Sequence, residues 1–240
     1  MAMKRHDSVT KLNETDLTTL SSEIEPTPDD ILNKIGGKNF QIWKIFIMAS
    51  FTWAFTGPFI MTGAFIDDNR CDYANTAASN LSADCLHRKS GSMIHEFELH
   101  GPHENLKHWF TSSFMLGNIV GGSAISLLAD QYGRKPCVII CTLLIGITGC
   151  FMQFVKTYQF VLILRFLHGI FFTGSSIAIW VLGYESIPTS LRSYATFTYG
   201  TTWVIGYCAI APIAYFVPNW RNFLTVLSVP CIVYGIFLWM

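Results

Sequence analysis

The chain has 240 residues, of which 51% are hydrophobic and only 13% charged, with a mean hydropathy of +0.37 and 16 basic against 16 acidic side chains. A balanced charge gives no electrostatic footprint for a nucleic-acid partner, and charges gathered into separate stretches exclude an ordinary soluble domain. The composition is that of a membrane protein.

Residues 1–28 are rich in Thr, Ser, Asp and Glu, with Pro26 and Pro28 near their end, and are expected to form a cytoplasmic tail without a packed core. After Asp29 and Asp30, the residues Ile31, Leu32, Ile35 and Phe40 outline a short interfacial helix interrupted by Gly36 and Gly37. Residues 1–44 are therefore set apart from a transmembrane domain over 45–240, and no cleavable leader is expected because the first apolar run begins near residue 45. Six runs that are uncharged or nearly so follow, at 45–66, 109–129, 137–155, 160–184, 194–217 and 223–240. Each is close to the roughly 20 residues that cross a bilayer as a helix, so the predicted fold class is an all-α membrane protein with six spans.

The first span follows Trp43 and Lys44, an aromatic and a snorkelling cation suited to a membrane edge, and carries Gly57-Pro58 at its middle, which predicts a kink. Residues 67–108 form a large polar loop with Cys71, Cys85, the sequon Asn80-Leu81-Ser82 and five histidines. The sequon places this loop outside, with Asn80 as a glycosylation acceptor and Cys71 and Cys85 able to pair there. The N-terminus and the next turn then lie inside. Nine Lys and Arg against six agree with that orientation. His87, His95, His100, His103 and His108 follow neither a helix face nor a zinc-ligand spacing, so no metal or other cofactor is expected.

In the second span Gly117, Gly121 and Gly122 let another helix approach closely, which turns Asn118 toward protein or a cavity. A turn with Asp130, Gly133, Arg134 and Lys135 follows, Gly133 supplying the positive φ of a tight reversal and Pro136 opening the next helix. Arg165 and His168 are the strongly polar residues of the fourth span. An intramembrane arginine is a functional candidate by default, and the competing reading is that Arg165, about 8 Å from the helix end, snorkels to the headgroups. Thr173, Ser176 and Trp180 share one helical face, and Tyr199 and Trp203 lie four apart on the fifth span. Glu185 and Arg192 bracket the short inner loop between these spans.

The stretch from Ser126 to Pro136 resembles the turn between helices 2 and 3 of the major facilitator superfamily, Gly-x-Leu-Ala-Asp-Arg-x-Gly-Arg-Lys, at Leu128, Ala129, Asp130, Gly133, Arg134 and Lys135. Ser126 and Gln131 depart from that pattern. Arg165-Phe166-Leu167-His168-Gly169 is similar to the helix 4 pattern Arg-x-x-x-Gly of the same family. Tyr184-Glu185 with Pro188 and Arg192, Ala214-Tyr215-Phe216, Trp220-Arg221 and Glu96-Phe97-Glu98-Leu99 at the end of a large outer loop resemble its organic cation and carnitine transporter branch. His100 stands where that branch usually has cysteine, so fewer disulfides are expected.

The resemblance covers about residues 29–240 and implies the N-terminal half of a twelve-helix carrier that binds solute at mid-membrane between two halves. It implies transport of organic cations or carnitine-like zwitterions by alternating access, without bond making or breaking. Asp130, Gly133, Arg134, Lys135, Glu185 and Arg192 would form an inner gate. Asn118, Arg165, Thr173, Ser176, Trp180, Tyr199 and Trp203 would line the solute cavity. The expected partners are a small organic solute, the lipid bilayer, and a C-terminal six-helix half or another carrier chain, in the plasma membrane. The competing reading is a short, non-transporting form that binds and regulates full-length carriers.

Overall fold

The computed structural model describes residues 40–66, 91–99 and 101–239. Helices α1 (Phe40–Thr56) and α2 (Pro58–Ile66) are followed by the single turn α3 (Met93–Glu96) and a 3-10 segment, Gly101–His108. Then come α4 (Trp109–Tyr132), α5 (Arg134–Phe151), α6 (Tyr158–Glu185), a 3-10 turn at Thr189–Leu191, α7 (Arg192–Phe216) and α8 (Trp220–Trp239). Among the described residues there are helices and no strands.

Five helical stretches are long and apolar enough to cross a membrane: Phe40–Ile66, Asn105–Tyr132, Arg134–Phe151, Tyr158–Glu185 and Trp220–Trp239. With 25 residues α7 has the length, but Tyr199, Thr201, Thr202, Trp203 and Tyr207 dilute its hydropathy, and it is not among the five. Of the six expected spans, length and composition therefore support five. Large apolar side chains such as Ile119, Phe151, Phe160, Phe197 and Val233 stand exposed on the outside of the bundle, as suits a hydrocarbon solvent.

The first span breaks where Gly57-Pro58 requires it. Proline has no N–H to continue the ladder, so α1 closes with Gly57 donating to the Trp53 carbonyl at 3.0 Å and α2 starts at Pro58. The gap also admits a neighbour, for a Cβ on Gly57 would meet the Trp203 ring at 2.6 Å.

Helix α6 is central, packed against α4, α5 and α1, while α8 lies on α5 and α7 on α1 and α2. The α4–α6 crossing is the most intimate because glycines line both sides. A Cβ on Gly117 or Gly121 would overlap the Phe166 or Ile170 backbone, and one on Gly169 the Phe114 carbonyl. Gly169→Ala is therefore expected to destabilise the chain by roughly 1–3 kcal/mol, the usual cost of overpacking. Gly200→Ala, on α7 with nothing within 4 Å of the added carbon, should leave the melting temperature in detergent unchanged or slightly raised. Equal melting of both variants would contradict the crossing.

Gly133 has φ +94° and joins α4 to α5 as expected. The predicted third span was to run to residue 155, whereas α5 stops at Phe151. The carbonyls of Met152, Gln153 and Val155 turn instead to the guanidinium of Arg221. Part of the segment expected as open loop is ordered as α3, capped by Ser92 Oγ accepting from the Ile94 N–H. The interfacial segment before Phe40 and Cys71, Asn80, Cys85, His87 and His100 lie outside the described residues. Among the described residues no metal-ligating cluster is formed.

Candidate functional site

The charged turn between α4 and α5 was expected to be a network, and its geometry centres on Arg134. From the start of α5 the guanidinium reaches Asp130 on α4 at 3.5 Å and forms an ion pair with Glu185 at the end of α6. Three helix ends are thereby tied by one fork, the planar multi-donor geometry that arginine supplies and lysine does not. Asp130 and Glu185 remain exposed. Lys135 lines a recess together with Lys44. Arg192 begins α7, beside which Tyr184 and Thr196 share a hydroxyl–hydroxyl hydrogen bond joining α6 to α7.

A second group of expected residues forms a line along α6. Thr173 donates to Asn118 Oδ1 at 2.7 Å across the glycine crossing. One turn on, Ser176 is 7% exposed. Trp180 follows, packed edge-on to Trp53 of α1 and Tyr199 of α7, with ring centroids 5.7 and 5.8 Å away, and stacked on Tyr184 at 5.2 Å. Trp203 lies against Gly57 and edge-on to Tyr207 at 4.6 Å. Ser176 Oγ, Trp53 Nε1, Tyr199 OH and Trp203 Nε1 are all buried without a hydrogen-bond partner among the described residues. Buried polar groups are ordinarily paired, so four hydrogen-bond donors left over on three adjacent helices stand out. Tyr199 is enclosed among Phe46, Trp180 and Gly183 and is part of the packing. Trp53 was missed by sequence reading, although it lies one turn before Gly57.

Arg165 neither snorkels nor faces outward: its side chain is fully buried. Nη2 donates to the Phe59 carbonyl at 2.8 Å, and the guanidinium carbon sits 4.6 and 4.2 Å from the ring centres of Phe110 and Phe114. Nε and Nη1 have no partner, nor does either ring nitrogen of His168. His168 packs 4.5 Å from the Phe59 ring and 6.1 Å from that of Phe114.

At the end of the bundle where α5 meets α6, Arg221 builds a junction that sequence reading named in pieces but did not assemble. Its Nη2 meets Glu96 Oε1 at 2.6 Å and its Nε both carboxylate oxygens at 3.1 Å. Nη1 donates to the carbonyls of Met152 and Gln153 at 3.0 and 2.6 Å, and Nη2 to that of Val155 at 2.6 Å. Trp220 donates from Nε1 to Glu96 Oε2 at 2.8 Å, and its ring centre lies 4.7 Å from the Arg221 guanidinium carbon. Burial pushes the Glu96 carboxyl up, but the hydrogen bonds from Arg221 and Trp220 outweigh it and hold the carboxyl below its ordinary value. A recess of about 460 Å³ opens beside this junction, between Ser92, Pro218 and Trp220, and none of the expected cavity residues lines it.

Comparison with known proteins agrees with this membrane architecture. A Caenorhabditis elegans protein described as a candidate transporter is 32% identical over 221 residues, 92% of this chain and 43% of its own length. Organic anion transporter 3 of Oryctolagus cuniculus is 30% identical over 148 residues, 62% of this chain and 27% of its own length. Solute carrier family 22 member 2 of Rattus norvegicus is 30% identical over 152 residues, again 62% of this chain and 27% of its own length. The chain spans less than half the length of these relatives. The family model described as Sugar (and other) transporter matches residues 31–240. The chain belongs to that family, and so to the major facilitator superfamily of multi-pass membrane transporters.

Proposed function

We propose that this chain forms the N-terminal six-helix half of an organic-solute carrier working by alternating access, with α7 as the fifth of its six spans and the N-terminus on the cytoplasmic side of the plasma membrane. Arg134, bridging Asp130 and Glu185, latches the inner ends of α4, α5 and α6 when the pathway is closed inward. Gly133 gives the turn its reversal, and Lys135 and Arg192 add to its positive charge. No chemical bond changes; the two halves rock around bound solute. Relatives named as transporters favour this reading over a non-transporting regulator.

The observation that carries the binding site is the set of unpaired donors at Ser176, Trp53 and Trp203. An indole N–H can only donate, so it calls for an acceptor such as a carboxylate or carbonyl, while the aromatic faces beside it suit a cationic head. A carnitine-like zwitterion meets both demands, and a simple organic cation only the second. An organic-anion reading is favoured by the names of relatives that are organic anion transporters and by the buried charge of Arg165.

The test is uptake. Residues 1–240 expressed with the C-terminal half of a relative should give saturable uptake of a labelled zwitterion, and residues 1–240 alone should give none. Trp203→Phe keeps the ring and removes the donor, and should weaken apparent affinity about tenfold, one lost hydrogen bond to a charged group. Saturable uptake by the 240-residue chain alone would overturn the half-carrier reading. Unchanged affinity in Trp203→Phe would remove that donor from the site.

A further inference from the structure

A recess of about 210 Å³ opens where the N-terminal ends of α1 and α5 meet the C-terminal ends of α6 and α8. Its floor is apolar, with Met48, Val138, Ile179 and Leu238 among the residues contributed by these four helices. Two cations, Lys44 and Lys135, line it and, among the described residues, no carboxylate does. Neither lysine forms an ion pair with any described residue. The start of α5 lies beside Lys135, and Gly133 offers no side chain to cap its N–H groups. Trp43 and Trp239, at the same ends of α1 and α8, are 49% and 71% exposed, as aromatic residues at the headgroup level are.

We propose that this recess is a binding site for an anionic phospholipid, its phosphate held by Lys44 and Lys135 at the N-terminus of α5 and its acyl chain laid on the apolar floor. Each part of the ligand is called for by a different observation. An uncapped helix N-terminus with a lysine attracts an anion, a second lysine from another helix fixes where the anion sits, and a floor of Met, Val, Ile and Leu between helices suits hydrocarbon. None of Trp53, Asn118, Ser176, Trp180 and Trp203 lines the recess, so a lipid there would be held during transport without competing with solute. It requires only that the chain is an integral membrane protein and stands whether or not the transport reading does.

The full chain purified in detergent would be examined by native mass spectrometry with phosphatidylglycerol and phosphatidylcholine of equal chain length. A preference for phosphatidylglycerol is expected, falling roughly thirtyfold in the double variant Lys44→Gln, Lys135→Gln, about fivefold for each lysine near a surface. The double variant Lys44→Arg, Lys135→Arg keeps both charges and should keep the preference, which separates charge from damage to the fold. Lys156→Gln, at the other end of the bundle, should change nothing. Ile179→Trp fills the floor with the lysines intact and should weaken retention of the lipid. A preference unchanged in the glutamine variant would overturn the site. Full competition by glycerol phosphate at equal concentration would overturn the lipid assignment in favour of a free organophosphate.

Discussion

Arg221→Ala is expected to lower the stability of the chain by about 3 kcal/mol and to free the segment around α3. One guanidinium serves Glu96 and three main-chain carbonyls in the turn between α5 and α6. Its removal strands those carbonyls and leaves a half-exposed carboxylate without its cation, and each unmade bond of this kind costs roughly 1–3 kcal/mol before water compensates. The exposed part of the ion pair alone would be worth under about 1 kcal/mol, so Glu96→Gln should cost far less than Arg221→Ala. Arg221→Lys should recover little, because an ammonium cannot reach a carboxylate and three carbonyls at fixed angles. The pH dependence has a definite sign. Glu96 is held below its ordinary pKa, so its contribution is complete above the unfolded carboxylate value, near 4.3, and is lost as pH falls through the lowered folded value. Melting curves and protease sensitivity at residues 91–99 would measure both effects. An Arg221→Ala chain that melts as the parent does would sink this account of the junction.

The same junction marks where sequence reading stops. The elements Glu96-Phe97-Glu98-Leu99 and Trp220-Arg221 were each visible, but Glu96 and Arg221 are 125 positions apart, and periodicity within a run carries no information about which distant run it meets. For the same reason the end of α5 fell four residues early, since nothing near Phe151 announces that its following carbonyls will be claimed by α8. Features that a local rule controls were legible. Gly133 at φ +94° and the break at Gly57-Pro58 follow from backbone sterics, and glycines on α4 foretold a close crossing. The residues expected to line a cavity are placed differently from one another. Asn118 and Thr173 do meet, yet Tyr199 is only 1% exposed, because an aromatic ring at the right spacing fits a core as well as a cavity wall. The helix α7 shows the converse, since Tyr199 and Trp203, which dilute its hydropathy, pack it against Trp180 of α6 and against Gly57 in the break of the first span.

Arg165 should divide stability from transport. Its side chain is among the largest fully buried ones, and truncation to alanine leaves a cavity among Phe59, Phe110 and Phe114, so Arg165→Ala is expected to cost about 3–5 kcal/mol. Arg165→Met fills most of that volume without charge and has a different balance. It gives up the hydrogen bond to the Phe59 carbonyl and two contacts with aromatic faces, each of those contacts worth about 2 kcal/mol when desolvated. It also removes a cation that has no carboxylate partner among the described residues, and burying an unpaired charge costs several kcal/mol. The two sides nearly cancel, so Arg165→Met should melt within about 1 kcal/mol of the parent. On the proposed carrier reading the charge serves transport instead, so Arg165→Met in a carrier assembled with a C-terminal half is expected to reduce uptake at least tenfold while leaving surface expression intact. Melting well below the parent would make the guanidinium structural. Normal uptake by a stable Arg165→Met carrier would remove the charge from the transport cycle altogether.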